Sequence, residues 1–194
     1  MKKTFLIIFL LIISTSVFSK NIYLFGSLGM SNYNISDKDT NAIDSKLTDI
    51  GFSTASTSTT TDNLAYKVGL GINFPVINIG IESSYVNYGK IAFKSNTTVP
   101  TETLNVDVNI EGIAVDVTKT IGPISFAAGL MNIDDSVKIN SSQGNVNVPI
   151  DDILIPKIGI NLMFNNIRFE YSRLYFSNNS NLDAFMFGYV LNIL

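Results

Sequence analysis

The sequence predicts an all-β protein that forms an eight-stranded antiparallel up-and-down barrel. Apolar residues recur at every second position in eight separate stretches, and the connections between these stretches are alternately short and long. A period of two puts apolar side chains on one face of a strand and polar side chains on the other. Apolar residues at helical spacing do not occur after residue 19.

The amino terminus has the order of a secretory signal peptide. Lys2 and Lys3 precede an unbroken apolar run over residues 5–13, and a small polar patch ends at Ser19. As a helix this run would reach only about 14 Å, roughly half of the hydrocarbon thickness of a bilayer. We therefore expect residues 1–19 to be cleaved and residues 20–194 to form a single barrel domain.

Alternation is strictest from Asn63 to Phe74, where every even-numbered residue is apolar or aromatic. One other stretch changes parity, because its apolar positions are even up to Ile110 and odd from Ile113. A β-bulge at Glu111-Gly112 would absorb that change. The eight predicted strands cover residues 22–31, 63–74, 77–85, 104–118, 124–130, 154–164, 167–172 and 185–193.

The connections differ in length at the two ends of the barrel. Three are short, at Pro75-Val76, Lys119–Pro123 and Asn165-Asn166, and the rest are long and polar. Short turns at one end and long loops at the other are typical of transmembrane barrels of the bacterial outer membrane, whose turns face the periplasm. The predicted long loops cover residues 32–62, 89–103, 132–152 and 176–183.

The face opposite the apolar residues favours a membrane barrel over a soluble one. It carries mostly Gly, Ser, Ala and Asn, and charged residues make up 15% of the chain, against about 25 to 35% on a soluble surface. Small polar side chains suit a narrow hydrated interior. A soluble periplasmic β-barrel or sandwich is the alternative.

Aromatic residues near predicted strand ends suit interfacial girdles, namely Tyr66, Phe74, Tyr85, Phe164, Tyr175 and Phe185.

The composition excludes several kinds of site. The chain has no cysteine, which excludes disulfides and a lipid-modified cysteine, and no histidine, which removes the commonest general base and zinc ligand. The formal net charge of −3 does not attract nucleic acid. We predict no catalytic residue, no cofactor site and no metal site.

Two polar segments of the long loops have alternative interpretations. The Ser/Thr run from Ser53 to Thr61 predicts a flexible loop tip, with receptor contact as the second possibility. Asp134-Asp135 and Asp151-Asp152 flank one loop, either as solvated charges, which we favour, or as calcium ligands.

Charged residues on the inward face need partners, because a bare ion in a narrow lumen is costly. With Asn73 opposite Asn78 across the first turn, Lys67 lies opposite Ser84 and diagonal to Glu82. We expect a structural network of salt bridges that blocks the lumen, with an ion path as the alternative. Its predicted members are Lys67, Glu82, Glu111, Asp116, Lys157, Arg168 and Glu170.

Short motifs carry a resemblance to a known family. The stretches 21–29 (NIYLFGSLG), 66–74 (YKVGLGINF), 81–85 (IESSY) and 167–171 (IRFEY) resemble the small barrels of the outer-membrane-protein-A transmembrane-domain and opacity-protein type. The final strand resembles the signal that the barrel insertion machinery recognises. Its matching residues are Gly188, Leu191 and Ile193, and it departs at Leu194, where an aromatic residue is usual.

The function expected from these features is that of a non-enzymatic barrel in the outer membrane. Its partners would be the lipid bilayer and the insertion machinery, and its role would be structural or adhesin-like surface contact through four outer loops, with an unidentified host or surface ligand. A small pore or transporter, resembling the outer-membrane-protein-W type, is the alternative. An enzyme ranks third because the chain lacks histidine.

Overall fold

The computed structural model describes residues 21–36, 41, 44, 45, 48, 53–60, 62–99, 103–133, 136–141, 144–149, 153–176 and 179–193. The predicted signal peptide, residues 1–19, lies outside the described residues. Within these ranges, no helix is long and apolar enough to cross a membrane.

Eleven strands form a single antiparallel sheet in the described part of the chain. They are β1 (Asn21–Asn34), β2 (Ser53–Thr60), β3 (Asp62–Phe74), β4 (Ile79–Val99), β5 (Thr103–Ile121), β6 (Ile124–Ile133), β7 (Ser136–Ser141), β8 (Gly144–Pro149), β9 (Ile153–Phe164), β10 (Ile167–Tyr175) and β11 (Asn181–Asn192).

Eight of these strands close into an antiparallel up-and-down barrel, as the alternation predicted. The order is β1, β3, β4, β5, β6, β9, β10 and β11, with each strand paired to the next along the chain. The first and last strands pair with each other, with Phe25 opposite Val190, so the barrel has no free edge at this level. The predicted fold class is confirmed.

Tight turns connect three pairs of strands at the end that we call the short-turn end. Gly122-Pro123 and Asn165-Asn166 are two-residue turns, and Gly122 and Asn165 have positive φ angles of 61° and 53°. The first turn is longer than predicted, because it takes four residues, Pro75 to Asn78, with Asn78 at φ 52°. The opposite end, which carries the long connections, is the loop end.

The longer first turn changes the predicted register of β3 against β4. Asn73 pairs with Gly80 instead of Asn78, and Lys67 lies opposite Val86 instead of Ser84. Asn tolerates the left-handed conformation that this turn requires, and two extra residues move the partner strand by two positions. The predicted placement of Lys67 relative to β4 is therefore wrong.

Three of the predicted long loops contain strands. Residues 53–60, predicted as a loop tip, form β2 and pair with the loop-end half of β4. Residues 89–103, also predicted as a loop, mostly extend β4 and β5, while β7 and β8 form a hairpin that pairs with β5. Thr-rich and alternating segments favour strands once a partner edge is available. At the loop end these strands form a sheet in the order β2-β4-β5-β7-β8.

The predicted β-bulge at Glu111-Gly112 is not present. The register shift lies in β4, between Asn87 and Lys90, and Gly89 takes a φ of +83° there. In β5 the even-numbered residues face inward on both sides of position 111, and Ile110 and Ala114 are both buried. The apolar parity changes because the barrel interior becomes apolar at this level, as described below.

The outward face of the barrel wall is apolar and exposed. Large side chains that face away from the lumen include Leu28, Met30, Leu64 and Phe185, each exposed by more than 60%. Such a continuous apolar surface is far larger than the patches that soluble monomers tolerate. The sequence therefore folds with its hydrophobic side out over most of the wall.

Candidate functional site

The lumen brings together six of the seven charged residues that the sequence singled out. Each is at most 5% exposed, and they come from β3, β4, β5, β9 and β10. Three are cationic and three are anionic, so their formal charges balance. We call these residues the charge cluster: Lys67, Glu82, Asp116, Lys157, Arg168 and Glu170.

The closest pairs in the charge cluster span the lumen. Arg168 donates from Nη1 and Nη2 to the two carboxylate oxygens of Glu82, at 2.7 and 2.9 Å. Lys67 Nζ donates to Glu170 Oε1 at 2.8 Å, and Lys157 Nζ donates to Asp116 Oδ2 at 2.6 Å. None of these partners lies on directly paired strands. Buried ions are tolerated only with such compensation.

The pairs are also linked to one another. Arg168 Nη2 lies 2.9 Å from Glu170 Oε2, which joins the Glu82 and Lys67 pairs. Lys67 Nζ lies 3.8 Å from Asp116 Oδ2 and 3.9 Å from Glu82 Oε2. The six groups therefore form one connected network.

Two aromatic residues of β1 belong to this site, although the sequence analysis did not select them. The Phe25 ring lies beneath two cations, 5.1 Å from Lys67 Nζ and 4.7 Å from Arg168 Cζ. Tyr23 donates from its hydroxyl to Glu82 Oε1 at 2.8 Å. Cations are attracted to the face of an aromatic ring, most strongly where water is excluded. Their odd-numbered positions in β1 alternate with the apolar outward face, so parity could have assigned both side chains to the lumen.

Glu111 lies apart from the charge cluster, contrary to the prediction. It shares odd parity in β5 with Ile113 and Val115, so its side chain is on the outward face. There it accepts hydrogen bonds from Tyr85 Oη at 2.8 Å and from Asn87 Nδ2 at 2.7 Å. Its placement follows from the absence of a bulge at Glu111-Gly112.

A polar cavity of about 170 Å³ lies between the charge cluster and the short-turn end. We call it the vestibule. Glu82 and Arg168 form its inner boundary. The remaining lining residues are mostly polar: Asn21, Tyr23, Asn73, Thr118, Thr120, Ser125, Asn161, Met163, Val190 and Asn192.

A layer of buried apolar side chains fills the lumen on the loop side of the charge cluster. All eight barrel strands contribute to it, and Tyr88, Met131, Leu174 and Leu182 are fully enclosed. Within it the Tyr88 hydroxyl lies 3.2 Å from Ser172 Oγ. We call it the apolar layer: Tyr33, Ala65, Val86, Tyr88, Ile91, Phe93, Ile110, Ala114, Met131, Ile133, Ile155, Leu174, Leu182, Ala184 and Met186.

The outward face becomes polar at about the level where the interior becomes apolar. Arg173 donates from Nε and Nη2 to the Asp183 carboxylate at 2.6 and 2.7 Å, and Tyr171 donates to the same group at 2.6 Å. Elsewhere on the outward face, on β3 and β4, the Tyr66 and Tyr85 rings lie 6.1 Å apart. Tyr rings suit an interface because they present both an apolar body and a polar tip.

The residues of the predicted insertion signal divide between the two faces of β11. Gly188 faces the lumen and lies opposite Ser27, where an added Cβ would overlap the Gly26 carbonyl oxygen. Leu191 and Ile193 face outward and are exposed. The two aspartate pairs weighed as calcium ligands lie outside the described residues, and no group of three metal-binding side chains occurs among the residues that are described.

Comparisons with known proteins support the fold. No protein-family model and no curated protein matches the sequence. Two solved structures of Ail, the attachment invasion locus protein of Yersinia pestis, align over 89% and 90% of this chain and 97% and 100% of theirs. Their TM-scores are 0.50 and 0.53, and the identities are 13% and 11%. The first of these structures is a complex with the heparin analogue sucrose octasulfate.

A third match, to Neisserial surface protein A, has a TM-score of 0.44, which is too low to support an argument. The identities to Ail restrict that likeness to the fold. The closed antiparallel arrangement and the Ail alignments agree on one conclusion: this chain has the fold of the small eight-stranded outer-membrane β-barrels.

Proposed function

We propose that this chain resides in the bacterial outer membrane as a non-enzymatic barrel with a structural or surface-contact role. Its outward apolar face supports membrane residence, because lipid is the solvent that favours such a surface. The outward polar groups at Arg173, Asp183 and Tyr85, which we call the polar belt, support a membrane interface near the loop end of the wall. In this orientation the short turns face the periplasm.

The observation that carries the surface-contact role is the sheet at the loop end. Strands β4 and β5 run past the polar belt and pair with β2 and with the β7-β8 hairpin. The apolar layer continues into this part through Ile91 and Phe93, which are buried on β4. A sheet supported by a packed core is a rigid platform for contact with another surface.

The lumen disfavours the pore and transporter alternative. Its charges are paired with one another, and its loop side is filled by the apolar layer. Eight strands enclose a space that side chains can fill, as the charge cluster and the apolar layer do here. The carboxylates and cations of the charge cluster, which could otherwise act as acids or bases, are bonded to one another, and this supports a non-enzymatic role.

Membrane residence is tested by gel mobility of the outer-membrane fraction in detergent, unheated against boiled. A closed membrane barrel resists cold detergent because its backbone hydrogen bonds are paired internally, so the unheated band should migrate differently from the boiled one. Extraction with alkaline carbonate should leave the protein in the membrane. Identical mobility together with release by carbonate would exclude membrane residence.

The contact role is tested with bacteria that express the chain, a variant lacking the β7-β8 hairpin (residues 136–149), or an empty vector. Retention on epithelial monolayers and on abiotic surfaces should rise with the full chain and fall with the hairpin variant. The gel shift of the variant must persist, which separates loss of contact from loss of fold. Equal retention of bacteria with the full chain and with the empty vector would exclude the surface-contact role and favour a purely structural one.

Sucrose octasulfate offers a specific probe, because the Ail structure contains it. The described outer residues do not favour a polyanion, since Lys90 is paired with Asp107 at 3.2 Å and Lys94 is the other cation on this face of β4. We expect no saturable binding of sucrose octasulfate to the purified barrel. Saturable binding would assign a sulfated-glycan ligand to the loop end.

A further inference from the structure

The lumen is built from three zones in order along its axis. From the short-turn end these are the vestibule, the charge cluster and the apolar layer. The vestibule is lined mainly by polar residues and the charge cluster is ionic, whereas the apolar layer is built from aliphatic and aromatic side chains, with hydroxyl groups only on Tyr33 and Tyr88. The three zones therefore differ in their affinity for water.

We propose that the apolar layer, and not the charge cluster, is the barrier to water and ions, so that the barrel is a blind pocket wetted from the periplasmic side. Hydrophobic constrictions close a pore by excluding water, and an ion that enters one loses its hydration without gaining a partner. The charge cluster offers carboxylates and ammonium groups that bind water well. Its hydrogen bonds can be exchanged for bonds to water.

Unpaired polar atoms support hydration from the short-turn end. Asn161 Oδ1 and Arg168 Nε are buried, have no hydrogen-bond partner within the described part of the protein, and belong to residues that line the vestibule. Buried polar groups in native proteins are almost always satisfied, and a polar cavity of this size holds several water molecules. Water that satisfies these atoms reaches them through the vestibule.

Two cross-strand pairs of the apolar layer provide variants that open it. Leu174 and Leu182 lie opposite each other on β10 and β11, and Met131 and Ile155 lie opposite each other on β6 and β9. The first variant is Leu174→Ser with Leu182→Ser. The second, Met131→Gln with Ile155→Thr, removes less side-chain volume than the first, and it is used if the first does not fold. The matched control, Asp116→Asn with Lys157→Met, removes one ion pair from the charge cluster.

Planar-bilayer recordings measure the barrier directly. The unmodified barrel and the charge-cluster control should pass no steady current, whereas the apolar-layer variants should pass a sustained one. The proposal rests on membrane residence, which the heat-dependent gel shift checks independently for each protein. Folded apolar-layer variants that stay closed, or a control that conducts as well as they do, would overturn it.

Labelling of a single cysteine distinguishes the two sides. The chain contains no cysteine, so Ser125→Cys places a unique thiol in the vestibule. In vesicles of known protein orientation, the charged reagent methanethiosulfonate ethyltrimethylammonium should label this thiol from the short-turn side alone. In the apolar-layer variants it should label from both sides, and in the charge-cluster control from the short-turn side alone. Labelling of the otherwise unmodified barrel from the loop side would contradict the proposal.

Discussion

Arg168 holds both carboxylate oxygens of Glu82 across the lumen, at 2.7 and 2.9 Å, although the two residues are 86 positions apart. Both side chains are almost completely buried. Glu82→Ala should lower the free energy of unfolding by on the order of 3 to 5 kcal/mol, because it removes one of the two buried carboxylates that compensate the guanidinium. Urea titration in lipid vesicles, followed by the fraction of the compact band on unheated gels, measures this.

An exposed ion pair of the same chain provides the control. Lys90 and Asp107 lie 3.2 Å apart, and the Lys90 side chain is 55% exposed. Asp107→Ala should change the free energy of unfolding by about 1 kcal/mol or less, since solvent screens the pair. Equal losses for Glu82→Ala and Asp107→Ala would mean that the charge cluster is not buried in the native barrel.

Two glycines of β1 should respond differently to alanine. An added Cβ at Gly29 would overlap the Phe185 carbonyl oxygen, whereas the nearest atom to a Cβ at Gly26 is the Lys67 carbonyl oxygen at 3.9 Å. Gly29→Ala should reduce the yield of folded barrel, and Gly26→Ala should keep or raise it because alanine loses less backbone entropy on folding. The compact-band yield after refolding into vesicles checks both. Similar yields for the two variants would contradict the tight contact at Gly29.

Protease accessibility tests the orientation of the barrel. Trypsin added to intact cells should cut first after Lys38 or Lys46, because the connection that contains them leaves β1 at the loop end. Lys119 serves as the control, because it lies at the short-turn end and its Nζ donates to the Ile77 carbonyl at 2.7 Å. Fragment masses identify the cleavage site. Early cleavage after Lys119 would mean that the barrel is inverted.

The final strand is expected to serve as the recognition signal for the insertion machinery. A charge near a membrane interface typically costs about 1 kcal/mol of stability or less. Leu191→Asp should reduce the amount of assembled barrel in cells by far more than such a loss of stability would explain. Asn192→Asp places the same charge at the neighbouring position and should assemble normally. Equal assembly of Leu191→Asp and Asn192→Asp would exclude a role of Leu191 in recognition.

The strands were predictable because apolar and polar residues alternate strictly along the barrel wall. Leu64, Val68 and Leu70 all face outward, so alternation alone locates β3 and its orientation. Register was less predictable, because it depends on the length of the first turn. Asn78 adopts a left-handed conformation in a four-residue turn, which moved the expected partner of Lys67 by two residues.

Six of the seven predicted members of the charge cluster lie in it and Glu111 does not, but none of the close pairs was predictable. Inward parity identifies Lys67 and Glu170, but their contact joins strands that are not neighbours in the sheet, and local patterning carries no information on that distance. The apolar layer was missed for a different reason. Ile110 and Val108 are apolar but face the interior, which reverses the usual parity of β5. The sequence analysis attributed this reversal to a β-bulge, whereas its cause is an apolar interior at this level.

The arrangement of the charge cluster also restricts how the barrel can be assembled. Lys67 finds its closest partner on β10, Asp116 finds its own on β9, and Glu82 finds its own on β10. No hairpin of two adjacent strands contains any of these three close pairs, and the β3-β4 hairpin brings Lys67 only to 3.9 Å from Glu82. An ion without its partner is costly inside hydrocarbon. Neutralisation of the charge cluster requires β3, β4 and β5 to meet β9 and β10. The opposite charges that separate hairpins leave apart are therefore brought together only when the barrel closes.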